Sequence, residues 1–575
     1  MLARRFLLAA VAASGLAACA TTAPERPVAA ADPASARPGA LYGLYLNGQA
    51  ALLDGRNADA AGFFDAAIRN APDDPVLRDR AFVAALLAGD IDKAAALAPP
   101  AAASPTVSSN QRLGRLVRAV QALADGKGAV AVAELSGEPI GFPHRAAAAL
   151  IKPWAQAAAG DLAAATQPVE PGRDRVLAGF AEHNRALLLE RARRYPEADA
   201  AFKALLDQAP GNDLLILSYG GYLERRNRRP EAVALYGAGL ADDDSGNSEL
   251  QSALTRAQGR RSPPPAPTLQ QGAAMAMLSP AAALAAERQG ELALAYLRLT
   301  LALDPKLDEA WLLVGDRLNE GRDRAGARAA YARVRAGTNE YATAQARLAF
   351  TYEQDGDSAQ ALQLTEAAAR AAPNDRTVQL AYADVLRAAE RHTEAAAVVS
   401  RLIGSDPAPD WRLLYLRGIS LERAGDWPAA ERDLQAALKA RPEEPELLNY
   451  LGYAWIDRGE RLDEAFAMIE RAVALRPESG AIVDSLGWAH YRRGQYAEAV
   501  TQLERAVELE PADATVNDHL GDAYWRVGRR TEAQFQWRRA LTLDPDAKLK
   551  TSVEAKLQTD LGPAGPAPAT AVARP

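Results

Sequence analysis

The chain is poor in the residues on which most catalytic and metal centres depend. It has one cysteine, Cys19, in 575 residues. No HExxH segment, no Cys-His ligand spacing and no phosphate-binding GxxxxGK[ST] loop occurs. Strand patterns are also missing, so nothing supports the strand-to-helix turn of a serine hydrolase. We therefore expect no enzyme and no metal site. The five histidines are scattered along the chain: His144, His183, His392, His490 and His519.

Aromatic residues are few and acidic residues outnumber basic ones. Aromatics make up 6% of the chain, and β-branched runs of strand length are scarce, whereas alanine and other helix formers are abundant. This composition predicts an all-α protein. The formal net charge is −7, and an acidic chain is poorly suited to a phosphate backbone. We expect no nucleic-acid partner.

The N-terminus carries the pattern of a secretory signal. Two basic residues, Arg4 and Arg5, precede an apolar stretch from Phe6 to Ala18 that is too short to span a bilayer. The stretch ends in Leu-Ala-Ala-Cys at Cys19, which resembles the lipobox of bacterial lipoproteins. The resemblance implies cleavage before Cys19 and a covalent lipid on it, and we expect no other cofactor. The alternatives are a small buried cysteine or an ordinary cleavage site.

The residues after Cys19 bear on the destination of the lipoprotein. In lipoproteins an aspartate at this point tends to mean retention in the inner membrane, whereas this chain has Ala20 and Thr21. The resemblance therefore implies the periplasmic face of the outer membrane. Residues 20–40 are rich in Ala, Pro and Thr and predict a flexible tether between the lipid and the folded body.

Three sets of small or helix-ending residues recur with one period in the second half of the chain. Successive prolines are 34 or 35 residues apart, and glycines and alanines keep the same step. The prolines are Pro373, Pro407, Pro442, Pro477, Pro511 and Pro545. The glycines are Gly418, Gly452, Gly487 and Gly521, and the alanines are Ala395, Ala430, Ala465, Ala499 and Ala533.

This repeat resembles the tetratricopeptide repeat (TPR), a hairpin of two helices. The small residues Gly487 and Ala499 allow the two helices to approach closely, and Pro511 ends the second helix. One hairpin cannot bury its own apolar face, so the resemblance implies a superhelical solenoid of stacked hairpins with a concave side. Eight units are expected from about residue 274 to 547.

The repeat organisation predicts several segments. They are a signal peptide (1–18), a lipidated tether (19–40), a degenerate helical array (41–257), a proline-rich linker (258–270), a TPR array with a capping helix (271–560) and a disordered tail (561–575). The two arrays are expected to be separate. Between about residues 75 and 178 the helical pattern does not align with the repeat of 34 or 35 residues.

The first helix of each TPR hairpin lines the concave groove in this family. On that basis the groove is predicted to carry an aromatic and hydrogen-bonding stripe, the residue types that dominate binding energy at interfaces. The alternative is that individual aromatics are interhelix core. The predicted partner-binding residues are Tyr415, Asn449, Tyr450, Tyr453, Asp484, Trp488, Tyr491, Arg492, Asp518, His519, Trp525 and Arg526.

These features together resemble bacterial TPR lipoproteins of the outer membrane. The resemblance implies a membrane-anchored scaffold that binds a protein partner in its groove during cell-envelope assembly. A second hypothesis is that the Trp and Tyr stripe stacks on a polysaccharide or other glycan of an export system.

Overall fold

The computed structural model describes residues 38–100, 108–136, 140–169, 175–241, 248–287, 289–404 and 409–562. Within these ranges the chain forms thirty helices and no strand, which confirms the all-α prediction. The predicted signal peptide, Cys19 and most of the tether lie outside the described residues.

The helices up to residue 258 are α1 (Pro38–Leu53), α2 (Asn57–Asn70), α3 (Pro75–Ala88), α4 (Ile91–Leu97), α5 (Ser109–Ala124), α6 (Gly128–Ser136), α7 (Arg145–Ala158), α8 (Leu162–Ala165), α9 (Arg175–Arg191), α10 (Tyr195–Gln208), α11 (Asp213–Arg225), α12 (Arg229–Ala241) and α13 (Ser248–Gln258). The following helices are α14 (Leu269–Ala286), α15 (Gly290–Leu303), α16 (Asp308–Glu320), α17 (Arg324–Tyr331), α18 (Asn339–Glu353), α19 (Ser358–Ala371), α20 (Arg376–Ala388) and α21 (His392–Ile403). The last helices are α22 (Trp411–Arg423), α23 (Trp427–Ala440), α24 (Pro445–Arg458), α25 (Leu462–Leu475), α26 (Gly480–Arg492), α27 (Tyr496–Leu509), α28 (Ala514–Arg526), α29 (Arg530–Leu541) and α30 (Ala547–Thr559).

Two compact units divide the described chain within α20, between Val385 and Leu386. We call residues up to 385 unit 1 and residues from 386 unit 2. The proline-rich segment 258–270 was the predicted boundary between the two arrays. In the structure, both sides of that segment belong to unit 1.

Helix α15 explains why the proline-rich segment does not divide unit 1. Its sequence is apolar on every face, and a helix of that kind must be surrounded by other elements. It packs on α3, α4 and α5, while α14 packs on α7 and α9. The helices after the segment therefore bury the first helices of the hairpins before it.

Glycines at the helix crossing points allow the two helices of each hairpin in unit 2 to pack closely. A Cβ atom on Gly487 of α26 would lie 2.5 Å from the Leu503 side chain of α27. A Cβ atom on Gly521 of α28 would lie equally close to the Trp537 ring of α29. Only glycine permits these approaches, so the repeated glycines of the sequence fix the spacing within each hairpin.

The first helices of successive hairpins in unit 2 form a row. Helix α24 contacts α26, and α26 contacts α28, while the Tyr415 ring of α22 meets the Tyr450 ring of α24. We call the surface of α22, α24, α26 and α28 the inner face. Helix α30 packs on α29 and buries Val553, so it covers the apolar end of the last hairpin.

Candidate partner-binding face

The twelve residues predicted for the groove all belong to the four helices of the inner face, but they differ in accessibility. Four are buried in unit 2: Asp484, Asp518, His519 and Trp525. The other eight are partly exposed: Tyr415, Asn449, Tyr450, Tyr453, Trp488, Tyr491, Arg492 and Arg526. The first group contributes to packing between hairpins, and only the second group can meet a partner directly.

The Trp488 indole lies in a stack of three rings. The Tyr491 ring is 4.7 Å from it at an interplanar angle of 7°, and the His519 ring is 4.1 Å away at 15°. Two rings on one face of the indole would also touch each other, and no Tyr491–His519 pair is among the ring contacts of the described residues. The two rings therefore cover opposite faces of Trp488. Only the edges of the indole remain for a partner.

A buried ion pair holds the end of this stack. His519 Nδ1 lies 2.9 Å from Asp484 Oδ2. Burial alone would lower the pKa of His519, but the adjacent Asp484 carboxylate, helped by Asp518 and Asp522, raises it above its usual value. The ring stacked on Trp488 is thus favoured in its charged form, which is attracted to the face of an indole. Asp484 is fully engaged and is not open to a partner's backbone amides.

The C-terminal segment covers the inner face at α28. Lys556 Nζ of α30 lies 2.8 Å from Asp518 Oδ2 and from Asp522 Oδ1. Burial and the nearby Asp518 carboxylate raise the pKa of Asp522, and Lys556 opposes this shift without cancelling it. Trp537 Nε1 also donates to Asp522 at 2.9 Å. Asp522 and Lys556 were absent from the predicted site, although Asp522 follows Asp518 by one helical turn.

Two residues beyond α30 continue this cover. Trp525 Nε1 donates to the Leu561 carbonyl at 3.1 Å, and Arg526 Nη1 donates to the Gly562 carbonyl at 2.7 Å. Arg526 Nε also donates to Tyr491 Oη at 3.0 Å. Leu561 and Gly562, which the sequence assigned to a disordered tail, are thus hydrogen bonded. The predicted aromatic stripe is therefore covered at Trp525, although it remains partly exposed at Trp488.

The open part of the inner face lies on α22 and α24, with Trp488 of α26 packed in the same cluster. The Tyr415 and Tyr450 rings meet edge to face at 5.7 Å, and Tyr450 Oη donates to Glu422 at 3.2 Å. Burial raises the pKa of Tyr415 to about 12, so its hydroxyl stays protonated at neutral pH. Glu422 was not predicted as part of the site. Its position on α22, one turn beyond Gly418, gave no binding signal by itself.

Two polar atoms of the predicted groove residues have no hydrogen-bond partner among the described residues. They are Asn449 Oδ1 and Trp488 Nε1, an acceptor and a donor that are both buried. Unpaired buried polar atoms are costly, so they are common where a ligand or partner completes the hydrogen bonding. Arg492 at the edge pairs with Asp457 at 3.3 Å, a contact exposed to solvent.

Two further properties of the described ranges concern membranes and metals. None of the helices there is long and apolar enough to cross a bilayer. Within the same ranges, no group of three or more His, Cys, Asp or Glu side chains is arranged to hold a metal ion.

Family models match the helical hairpins. Models described as "Tetratricopeptide repeat" match residues 26–75, 347–409 and 415–480, and also 514–547. A model described as "TPR repeat" matches residues 487–528. The chain therefore carries tetratricopeptide repeats, whose ordinary role is that of a non-catalytic scaffold for protein interactions.

The chain is also similar to a bacterial TPR protein. It is 32% identical to TPR repeat-containing protein PA4667 of Pseudomonas aeruginosa over 195 residues. The match covers 34% of this chain and 32% of that protein, so the chain spans about a third of its relative's length.

Two solved structures give low-scoring fold matches. A tetratricopeptide repeat protein from Parabacteroides merdae is 14% identical, with a TM-score of 0.39 over 44% of this chain and 97% of its own. The APC/C hetero-tetramer Cut9-Hcn1 is 15% identical, with a TM-score of 0.38 over 91% of this chain and 96% of the matched chain.

Proposed function

We propose that this protein is a lipid-anchored scaffold of the cell envelope that holds a segment of another envelope protein on the open part of the inner face. The observation that carries the proposal is the row of partly exposed tyrosines on α22 and α24, namely Tyr415, Tyr450 and Tyr453. They stand beside the unpaired Oδ1 atom of Asn449.

The chemistry of this surface suits a polypeptide. Tyrosine side chains bury a large rigid area and keep a polar hydroxyl, which makes them frequent anchors of protein interfaces. Asn449 Oδ1 is an acceptor, and a backbone or side-chain N–H of the partner would satisfy it. Trp488 Nε1 is an unpaired donor, but it is buried and would need a local rearrangement to meet a partner's carbonyl group.

A protein partner is favoured over a glycan because the tryptophan faces are not accessible. Stacking on a sugar ring requires an open aromatic face, and both faces of Trp488 are covered by rings. Trp525 is buried, and the Arg530 guanidinium lies 3.6 Å from its ring centroid.

Site-specific photocrosslinking in the native bacterium tests the binding face. A benzophenone amino acid at Tyr453 or Tyr415 should yield one discrete crosslinked protein species, identifiable by mass spectrometry. The matched control is Phe535 of α29, an aromatic residue that is 65% exposed outside the inner face. The same species from all three positions, or crosslinks from Phe535 alone, would contradict the proposal. A purified peptidoglycan or polysaccharide sample that protects Tyr453 from crosslinking would favour the glycan hypothesis instead.

The proposed anchor is the lipid on Cys19. It would hold the protein at the periplasmic face of the outer membrane, with residues 20–40 as the tether. Two or more acyl chains are needed for stable attachment, because one acyl chain gives only reversible binding.

A further inference from the structure

A cleft of about 430 Å³ opens in unit 1 between the end of α3 and helices α15 to α17. Its volume falls within the range of roughly 300–1,000 Å³ that is common for small-molecule sites. The lining has two arginines, one tryptophan and otherwise apolar or small residues. The lining residues are Ala88, Gly89, Ile91, Arg298, Leu301, Ala302, Trp311, Gly326, Ala329, Ala330 and Arg333.

Arg298 places a desolvated guanidinium at this cleft. Its Nε donates 3.1 Å to the Leu87 carbonyl at the end of α3. Burial lowers the pKa of Arg298 to about 10, well below the usual value for arginine. Among the ion pairs of the described residues, none involves Arg298. The guanidinium is thus a partly buried charge without a carboxylate bound to it, an arrangement that an anion stabilises.

The acidic residue that acts most on the charge of Arg298 is Asp323, and it does not form an ion pair with this arginine. Asp323 favours the charged form of Arg298 through its field. Its carboxylate, however, caps α17, because Asp323 Oδ1 accepts the Gly326 amide at 2.8 Å. No acidic residue is among those that line the cleft. The charged residues of the lining are therefore the two arginines.

A second guanidinium and a flat wall complete the cleft. Arg333 is exposed, and its guanidinium carbon lies 5.7 Å from the centroid of the Trp311 ring. The indole is fixed, since Trp311 Nε1 donates 2.9 Å to the Pro305 carbonyl. Leu301 and Ile91 add aliphatic surface. A bound ligand would therefore contact two guanidinium groups beside an apolar surface.

We propose that this cleft binds an amphipathic oxyanion, meaning a small molecule with one carboxylate or phosphate group on an apolar body. Guanidinium groups pair with such oxyanions through parallel N–H···O bonds. The apolar body would cover Trp311, Leu301 and Ile91 and remove their surface from water. The site belongs to unit 1 and does not depend on partner binding at the inner face of unit 2.

Calorimetry with a matched series of six-carbon probes tests this site on the full-length protein. Hexanoate and hexyl phosphate should bind saturably at one site, and their relative affinities identify the preferred oxyanion. Hexylammonium and 1-hexanol, which lack the anion, and acetate and inorganic phosphate, which lack the apolar body, should bind at least about tenfold more weakly. Equal binding of 1-hexanol and hexanoate would overturn the proposal, since no role would remain for the arginines.

Variants locate the binding. Arg298→Gln and Arg333→Gln should each weaken hexanoate binding about tenfold or more, whereas Arg322→Gln, an exposed arginine outside the lining, should not. Ala329→Phe tests the same point without touching a charge, because Ala329 is exposed and its enlarged side chain would fill the cleft. If Arg298→Gln does not fold, Arg333→Gln and Ala329→Phe decide the outcome. Undiminished binding to both of these folded variants would refute the site.

Discussion

The Nδ1 atom of His519 lies 2.9 Å from the Oδ2 atom of Asp484, and both side chains are buried in unit 2. This pair joins two neighbouring first helices, because Asp484 is on α26 and His519 is on α28. The histidine also stacks on Trp488, so the pair supports the position of that indole.

The stability of unit 2 should therefore depend on the charge of His519. The pKa of His519 is raised in the folded protein, so its stabilising effect is complete below the unfolded pKa of about 6.5 and is lost as pH rises through the folded pKa. The wild-type protein should exceed His519→Gln in unfolding free energy most clearly near pH 6. That difference should shrink toward pH 9 in urea denaturation. A constant difference across this interval would show that His519 is not charged at pH 6.

Unit 1 should respond to pH in the opposite direction. Burial lowers the pKa of both His144 and His183 to about 4. Their neutral forms are stabilising above pH 6.5, and that contribution is lost as pH falls through 6.5 to 4, by up to roughly 3 kcal/mol for each histidine. Hydrogen exchange of α7 and α9, corrected for intrinsic rates, should show weaker protection at pH 5 than at pH 7. His183→Gln should reduce this pH dependence. Equal protection of the wild-type protein at both pH values would contradict the prediction.

Trp525 should be essential for stability and Tyr453 should not. Trp525 is buried against Trp537 with ring centroids 5.3 Å apart, so Trp525→Ala should lower the unfolding free energy by about 3–5 kcal/mol. Tyr453 is partly exposed, and Tyr453→Ala should cost considerably less while still reducing the crosslinking yield at Tyr415. Chemical denaturation of both variants separates packing from binding. A large loss of stability in Tyr453→Ala would place that ring in the core.

Lys556 should be required because it neutralises two buried carboxylates. Lys556→Met would leave Asp518 and Asp522 buried together without the lysine that pairs with both, which should cost about 3–5 kcal/mol. The triple variant Lys556→Met/Asp518→Asn/Asp522→Asn removes both charges and should recover a large part of this loss in thermal unfolding. If it is no more stable than Lys556→Met, the charge balance is not the cause.

The anchor makes a prediction that concerns residues outside the described structure. Cys19→Ser should abolish lipidation, because the thiol accepts the lipid, and should move the protein from the membrane fraction to the soluble periplasm or to an uncleaved precursor. Metabolic labelling with a fatty acid and membrane fractionation would measure this. A Cys19→Ser protein that still fractionates with the outer membrane would disprove the lipobox interpretation.

The hairpins were predictable because their determinants are local and repeated. Each hairpin needs a small residue where its two helices cross, as at Gly487. Because this need recurs in every repeat, the small residues appear in the sequence at a regular spacing. The predicted groove residues lie on the expected helices for the same reason.

Accessibility was not predictable to the same extent, because it depends on contacts between hairpins and on the end of the chain. Trp525 and Tyr453 occupy comparable first helices, yet only Trp525 is covered by Leu561 and α30. No local sequence pattern indicates that Lys556 pairs with Asp518, which is 38 residues away in the sequence. In unit 1, the apolar character of α15 on every face was a readable sign of burial, although it did not say against which helices.

The packing of α14 and α15 against α3 to α9 has a consequence for the order in which the chain folds during synthesis. The N-terminal hairpins are synthesised first, but the helices that cover them are about one hundred to two hundred residues further along the chain. Until α14 and α15 are available, side chains such as Trp154 and Leu116 lack the helices that bury them, and surfaces of that kind are prone to aggregation. A fragment ending at residue 258 would remain in that state permanently. Unit 1 thus completes the packing of these hairpins only after the chain up to residue 303 has been synthesised.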